Sequence, residues 1–440
     1  MTRARLVLWG VLAALAATSL PLLLRDIWMI PQHVPLDPNE GWNAAHALRL
    51  NQPYPPPGGW MINNYPPLSF YLAASVARLT GDVVVAGRIV SLLSFTAVTI
   101  AIAMAARVMG SGRRAAGLAA LFFAAVLLVA SDYVAMDDPQ LLGHALQLGG
   151  LLLALRGRAV PAALLFAAAL FVKHNLLALP VATGLWLCIE NRRVGIAFIT
   201  TGLVACGAGL VAFQAAFGTS LLAQLASPRI SDFSNILTAL RGLWWAPLPA
   251  LAIAAIAPGR ARSFVLLYGL AALVLGLVFS AGDGVDANAF FDLALALSLA
   301  LGLAVDRRPL LALPALPPVA FLAMNFHDNN YFYTRDFAAQ SAQDIAFVRA
   351  RPGPALCDQL SLCQWAGKTA EVDVFNLGEA IRTGAHDPAL LVRTIAQRRF
   401  GVIQLHDLDA LGPQVRDVIA AHYRLHHTDD NGSFLTPVTP

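Results

Sequence analysis

The reading of the fold turns on LDPNEGWNAAHALRLNQPYPPPGGWMINNYPPLSFYL, residues 36–72. This stretch holds two carboxylates, Asp37 and Glu40, several amides and many prolines. Just before it runs an apolar segment, Leu6 to Leu24, about the length that crosses a bilayer. A polar, tightly turned loop therefore sits directly on a membrane surface. The surrounding chain of 440 residues is 58% hydrophobic and 13% charged, whereas soluble domains carry about 25% charged residues. Long apolar runs recur along it, as in a protein that crosses the membrane many times. The formal net charge of +4 does not point to nucleic acid, because the arginines stand at membrane boundaries.

The first apolar segment reads as a retained helix. Arg3 and Arg5 precede it, and Arg25 and Asp26 follow. A cleaved signal has a shorter apolar core and a small-residue cleavage site. Eleven spans are expected, at about 5–24, 83–107, 115–131, 139–155, 159–172, 174–190, 194–217, 242–258, 262–280, 288–305 and 309–325. Arginines fall at every second boundary: Arg3/Arg5, Arg107/Arg113/Arg114, Arg156/Arg158, Arg192/Arg193, Arg260/Arg262 and Arg307/Arg308. The alternate boundaries are acidic, with Asp37 and Glu40, Asp137 and Asp138, Asp232, and Asp283 and Asp286. The positive-inside rule then puts the N-terminus in the cytoplasm and the C-terminus outside. The expected fold class is mainly α: a polytopic membrane helix bundle over residues 1–325, with its first outward loop at 31–66. A small extracytoplasmic α/β domain follows over 326–440. In that domain GPALCDQL and FGVIQLHD read as buried strands, and DPALLVRTIAQRR and LGPQVRDVIAAHY as amphipathic helices.

The outward loops collect the residues that carry chemistry. Residues 38–50 have near-helical spacing and suit a short interfacial helix, with Trp42 at headgroup level and Glu40 and Asn43 on one face. Tyr65, Phe70 and Tyr71 suit interface anchors where the chain returns to the bilayer. In SDYVAMDDPQLLGHAL, Pro139 suits a first helical turn, Asp138 its cap and Asp137 the position before. Capping needs one Asp; a second carboxylate at the mouth of an apolar span suggests a site. Lys173, in LFVKHNLLALP, is one of only two lysines, the other being Lys368. With His174 beside it, it suits a phosphate contact or, equally, a lysine reaching from a helix end to the interface. SAGDGVDANAFFDLAL supplies a tight turn before the tenth span, with Asn288 and, one turn further in, Asp292, which is expected to face a cavity or a cation. DGVDAN lacks the full spacing of a calcium loop.

Other chemistries lack their signatures. There is no P-loop, dinucleotide fingerprint, HExxH or GxSxG. Cysteine spacing does not suit zinc, and His422, His426 and His427 read as surface residues. No cofactor is implied, and a divalent cation is left open. Cys188 and Cys206 lie in apolar spans. Cys357 and Cys363, six apart in the exported part, fit either a local disulfide or two free thiols.

The order, spacing and sidedness of these loops resemble the GT-C superfamily of membrane glycosyltransferases. The likeness is to bacterial relatives of the protein O-mannosyltransferases and of the lipid A aminoarabinose transferase, family 39 in the broad sense. It implies transfer of a sugar from a polyprenyl-phosphate donor to an extracytoplasmic acceptor in the cell envelope, at the bacterial inner membrane. The family's acidic pair falls on Asn39-Glu40, so its first acid is replaced by Asn39, and Asp37 two residues earlier offers a carboxylate instead. The resemblance thus implies Glu40 or Asp37 as base, Asp138 with Asp137 as the second acidic motif, and Lys173 at the lipid phosphate. Physical chemistry agrees. A departing phosphate benefits from a cation, Lys173 or an arginine such as Arg88, and the acceptor hydroxyl needs a general base. Two other classes compete. A carrier or flippase would favour inverted repeats and acids at mid-membrane, and a scaffold with an exported binding domain would leave the clustered acids without a use.

Overall fold

The computed structural model describes residues 3–56, 58–130, 132–325 and 334–438. Each of the eleven expected apolar segments coincides with a helix or a helix pair. Five are long and apolar enough to cross a bilayer singly: Arg3–Met29, Val83–Val108, Arg192–Phe217, Arg260–Phe279 and Ala287–Val305. Arg113–Ala130 has 18 residues, and Gln140–Leu155, Ala159–Leu170, Ala178–Glu190 and Pro309–Asn325 are shorter apolar pieces. The protein is a multi-pass membrane bundle.

The segment expected at 242–258 is not one rod. Helix Phe233–Gly242 and helix Pro247–Ala255 meet at a 64° bend. Asp232 starts the first by accepting a bond from the Ser234 amide at 2.8 Å. Pro247 starts the second, since its fixed φ and missing N–H suit a first turn and break a helix interior. Phe291–Val305 is apolar on every side and buried along nearly its whole length, as a helix without a polar face must be. It forms the centre of the bundle, and its side chains join one core with those of Arg113–Ala130 and Arg260–Phe279.

The C-terminal part begins with helix Arg335–Ala350, whose N-terminus is capped by Thr334. Four strands follow: β1 Ala355–Cys357, β2 Val402–Leu405, β3 Tyr423–Asp429 and β4 Gly432–Pro437. Their order is β1-β2-β4-β3, with β1 parallel to β2 and the other pairs antiparallel. The two expected strands and the two expected helices, here Ala389–Ala396 and Pro413–His422, stand where the sequence puts them. The β3–β4 hairpin, closed by Asp430-Asn431, is an addition, as are helices Leu360–Trp365 and Val374–Arg382. The expected boundary at 325/326 adjoins residues 326–333, which lie outside the described part. Cys357 and Cys363 form a disulfide with Cα atoms 6.1 Å apart.

The loop after the first helix is built into this C-terminal part. Trp42, Ala44, Met61, Phe70 and Val83 share one apolar core with Ile345, Val348, Leu362, Trp365 and Phe434. Trp42 therefore does not lie at headgroup level. It is 4% exposed, and its indole N–H reaches the Ile62 carbonyl at 3.1 Å and Asp373 Oδ2 at 2.9 Å. Phe70 is buried with it instead of anchoring the interface. Helix Leu360–Trp365 comes so close to Pro38–Ala47 that a side chain at Gly41 would run into the backbone of Leu360 and Ser361.

Candidate active site

The site is built on helix Pro38–Ala47. Asp37 caps it, accepting a bond from the Asn39 amide at 2.7 Å, and Pro38 takes the first turn. Glu40, one turn in, is wholly buried. Arg88 of helix Val83–Val108 grips it with two prongs, Nε to Oε1 at 2.6 Å and Nη2 to Oε2 at 2.7 Å. The same guanidinium donates to the Gln32 and Val34 carbonyls at 2.7 and 2.6 Å, and to Met29 and Ile30 at 3.1 and 3.4 Å. Glu40 also accepts from the amides of Leu36 and Asp137, each at 3.2 Å. A carboxylate so occupied has no face left for an acceptor, and Arg88 has no N–H left for a phosphate. The pair ties the end of the first helix to the loop and to the Asp137 segment.

The two adjacent aspartates take different places. Asp138 Oδ1 accepts from the Gln140 amide at 2.7 Å, but Asp138 stands one residue before Pro139, the position that caps the next helix, and it also meets Lys173 Nζ at 3.1 and 3.2 Å. Asp137 turns the other way, against Gly87, where any side-chain carbon would collide with its carboxyl. Burial pushes the Asp137 carboxyl well above the usual carboxylate range, and Glu40 and Asp138 add to this. Asn43 joins the loops, its amide donating to the Asp137 carbonyl at 2.8 Å.

Lys173 lies in the turn after Ala159–Leu170 and is 1% exposed. Its ammonium stands 4.9 Å from the centre of the Tyr65 ring, a cation–π distance. Burial pulls its pKa down, but Asp138 and Tyr65 outweigh this and hold the ammonium above its ordinary value. His174 is exposed beside it.

Asp37 is half-buried at the edge of this group. Its pKa is raised from 3.8 to about 7, chiefly by burial and further by Asp286, Glu40 and Asp138. The charges of Asp138, Asp286 and Asp37 also bear together on the buried hydroxyl of Tyr133. These groups thus face one region. An apolar cavity of about 450 Å³ has Asp286 in its lining, with Val126, Leu243, Trp245, Phe291 and Phe321 among its other walls. Tyr133 packs edge-on against Phe291, which lines the cavity.

No family model matches the chain, and no curated protein matches it in sequence. Solved structures do. The crystal structure of ArnT from Cupriavidus metallidurans bound to undecaprenyl phosphate superposes with a TM-score of 0.61 at 15% identity, covering 97% of this chain and 98% of that one. Its apo structure gives 0.61 and 15% over 97% of each chain. The chain has the GT-C fold. At this identity the likeness is one of architecture, and it runs through membrane bundle and C-terminal part alike.

Within the GT-C bundle two expected site residues stand apart. Asn288 and Asp292 line a small separate cavity with Gln140 and Asn175. Asp292 Oδ1 accepts the Tyr268 hydroxyl at 2.6 Å, so its close partner is a phenol and not a cation. The Asn288 carbonyl accepts from Gln140 at 3.4 Å. Tyr133 and Asp286 are site members that the candidate set omitted. Asp286 was visible as an outward acid, whereas Tyr133, six residues before Pro139, has no spacing that marks it.

Proposed function

We propose that the protein is a membrane glycosyltransferase that moves a sugar from a polyprenyl-phosphate donor to an extracytoplasmic acceptor, a cell-envelope glycan, lipid or protein. The observation that carries this is the buried lysine Lys173, held by Asp138 and by the Tyr65 ring, in a protein whose fold also encloses an apolar cavity lined in part by Asp286. The structurally similar ArnT is bound to undecaprenyl phosphate, and an apolar cavity together with a buried lysine suits a ligand of that class.

In this reading the lipid chain lies in the cavity and its phosphate comes to Lys173. Asp138 holds the ammonium ready and yields part of it to the phosphate oxygens. Asp37, half-ionised near pH 7, takes the proton from the acceptor hydroxyl. The acceptor oxygen forms its bond to the anomeric carbon as the bond to the phosphate oxygen breaks. The lipid phosphate leaves with the electron pair, stabilised by Lys173, and the anomeric centre inverts. Glu40 and Arg88 position the helix that Asp37 caps. Asp137 and Asn43 support the same loops, and His174 borders the phosphate position. The arginine alternation orients this site outward, with the N-terminus cytoplasmic and the C-terminal part extracytoplasmic at a bacterial inner membrane.

The test is binding and turnover with Lys173→Gln, which keeps a donor toward Asp138. In nanodiscs the variant is expected to lower turnover at limiting polyprenyl-phosphate sugar at least tenfold, and to weaken undecaprenyl phosphate binding in native mass spectrometry. A folded variant with wild-type values for both would overturn the assignment.

A further inference from the structure

His427 does not behave as the surface histidine that its sequence suggests. It lies on β3, and its Nε2 stands 3.2 Å from Oδ1 of Asp344, 83 residues away on helix Arg335–Ala350. It also stands 3.4 Å from Oδ2 of Asp429. One donor atom from each of the three residues lies within 4.8 Å of the others. Asn431 donates to the outer oxygen of each carboxylate, its amide N–H to Asp429 Oδ1 at 2.9 Å and its side chain to Asp344 Oδ2 at 2.7 Å, so the two oxygens that remain both face Nε2, whose single N–H points well at one acceptor only. A cation at the centre of the three satisfies all of them.

We propose that Asp344, His427 and Asp429 bind a divalent transition-metal ion, with zinc the best fit, and that the ion clips the C-terminal hairpin to helix Arg335–Ala350. Zinc takes imidazole nitrogen and carboxylate oxygen at about 2.0–2.2 Å in tetrahedral geometry, so neighbouring ligand atoms lie about 3.4 Å apart. The two histidine–aspartate separations of 3.2 and 3.4 Å match that edge. The imidazole disfavours calcium and magnesium, which prefer all-oxygen shells. The His427 side chain is 29% exposed and that of Asp429 20%, so water reaches the fourth position.

The surrounding groups orient all three ligands, as outer partners of metal ligands do. Asn431 donates to Asp344 Oδ2 at 2.7 Å and is itself placed against Ser341 Oγ at 3.2 Å. His427 Nδ1 lies 2.9 Å from His426 Nδ1. A proton held on the first and donated to the second leaves the Nε2 lone pair of His427 for the ion. The ring is stacked on Phe434, with centroids 4.5 Å apart and 9° between planes, and meets the edge of Phe347. A register shift between Leu425 and His427 aims the ring at Asp344, since a bulge re-aims the side chains of its strand.

The competing account is a protonated His427 that bridges the carboxylates with no metal, and the experiment separates the two. Full-length untagged protein in detergent is stripped with chelator, loaded with Zn²⁺, desalted and measured by inductively coupled plasma mass spectrometry. The proposal expects one zinc per chain in the wild type, less than a tenth of that in His427→Gln, and at least tenfold weaker retention in Asp429→Asn. It also expects Zn²⁺ to raise the melting temperature of the stripped wild type and leave His427→Gln unmoved. A folded wild type that retains no zinc, or variants that retain as much as it does, would overturn the site. Should His427→Gln not fold, Asp429→Asn on the exposed edge decides the question by the same measurement.

Discussion

Replacing Asp37 with Asn should cost activity and gain stability at once. Asn caps a helix about as well as Asp, so the bond to the Asn39 amide, 2.7 Å in the native protein, survives. What disappears is the proton acceptor, and turnover should fall about 100-fold or more, or about 2.7 kcal/mol in barrier. Stability moves the other way. The folded-state pKa is raised from 3.8 to about 7 by burial, so the folded protein holds this proton more tightly than the unfolded chain does. Stability is therefore lost as pH rises from about 4 through 7, and the penalty is fully present above 7. Taken whole, the rise corresponds to about 4 kcal/mol; water screening of a half-buried carboxylate leaves on the order of 2 kcal/mol. Asn carries no such penalty. Asp37→Asn should melt above the wild type near pH 8.5, with the gap closing toward pH 4. The wild type's kcat/KM should rise through about pH 7 as Asp37 ionises. The assay is sugar transfer from a polyprenyl-phosphate donor in nanodiscs across that range, with melting curves on the same samples. Turnover within threefold of wild type would refute the base assignment, and an absent or inverted stability gap at pH 8.5 would refute the buried charge.

Three further outcomes are expected. Arg88→Ala leaves Glu40 buried without its cation and should cost about 3–5 kcal/mol, read as a loss of folded yield; Glu40→Gln should lose less stability than Arg88→Ala. Cys357→Ser opens a six-residue separation and should destabilise the C-terminal part by about 2 kcal/mol on loop entropy, seen as a lower melting temperature that reductant reproduces in the wild type. A reporter active only in the cytoplasm, fused after Pro440, should be silent, and an active fusion would overturn the outward placement of the C-terminus.

The apolar segments were legible because long hydrophobic runs have one physical solution in lipid, and the helices stand where hydropathy places them. The bend at Pro247 was written in the sequence but hidden inside a continuous apolar run. The outward acids and Lys173 were legible as residues out of place. Their partners were not, because Arg88 meets Glu40 across 48 positions and Lys173 meets Asp138 across 35, and no periodicity reports a contact between helices. For the same reason Trp42 reads as an interface residue: its burial depends on Asp373, 331 positions away. The β3–β4 hairpin turns on Asp430-Asn431, residue types that favour turns, but its outer strand alternates weakly because most of β3 faces solvent.

The contact between Gly41 and the Leu360–Ser361 backbone sets a timetable for synthesis. The helix capped by Asp37 leaves the ribosome early, while the surface that seats it follows 320 residues later. At about 5–20 residues per second, the loop waits roughly 15–60 seconds with Trp42 and Phe70 uncovered. Throughout that interval the loop lacks the surface that buries it, because half of the apolar core around Trp42 comes from residues 345–434. The disulfide that joins Cys357 of β1 to Cys363 of the late helix Leu360–Trp365 is then among the last links to close.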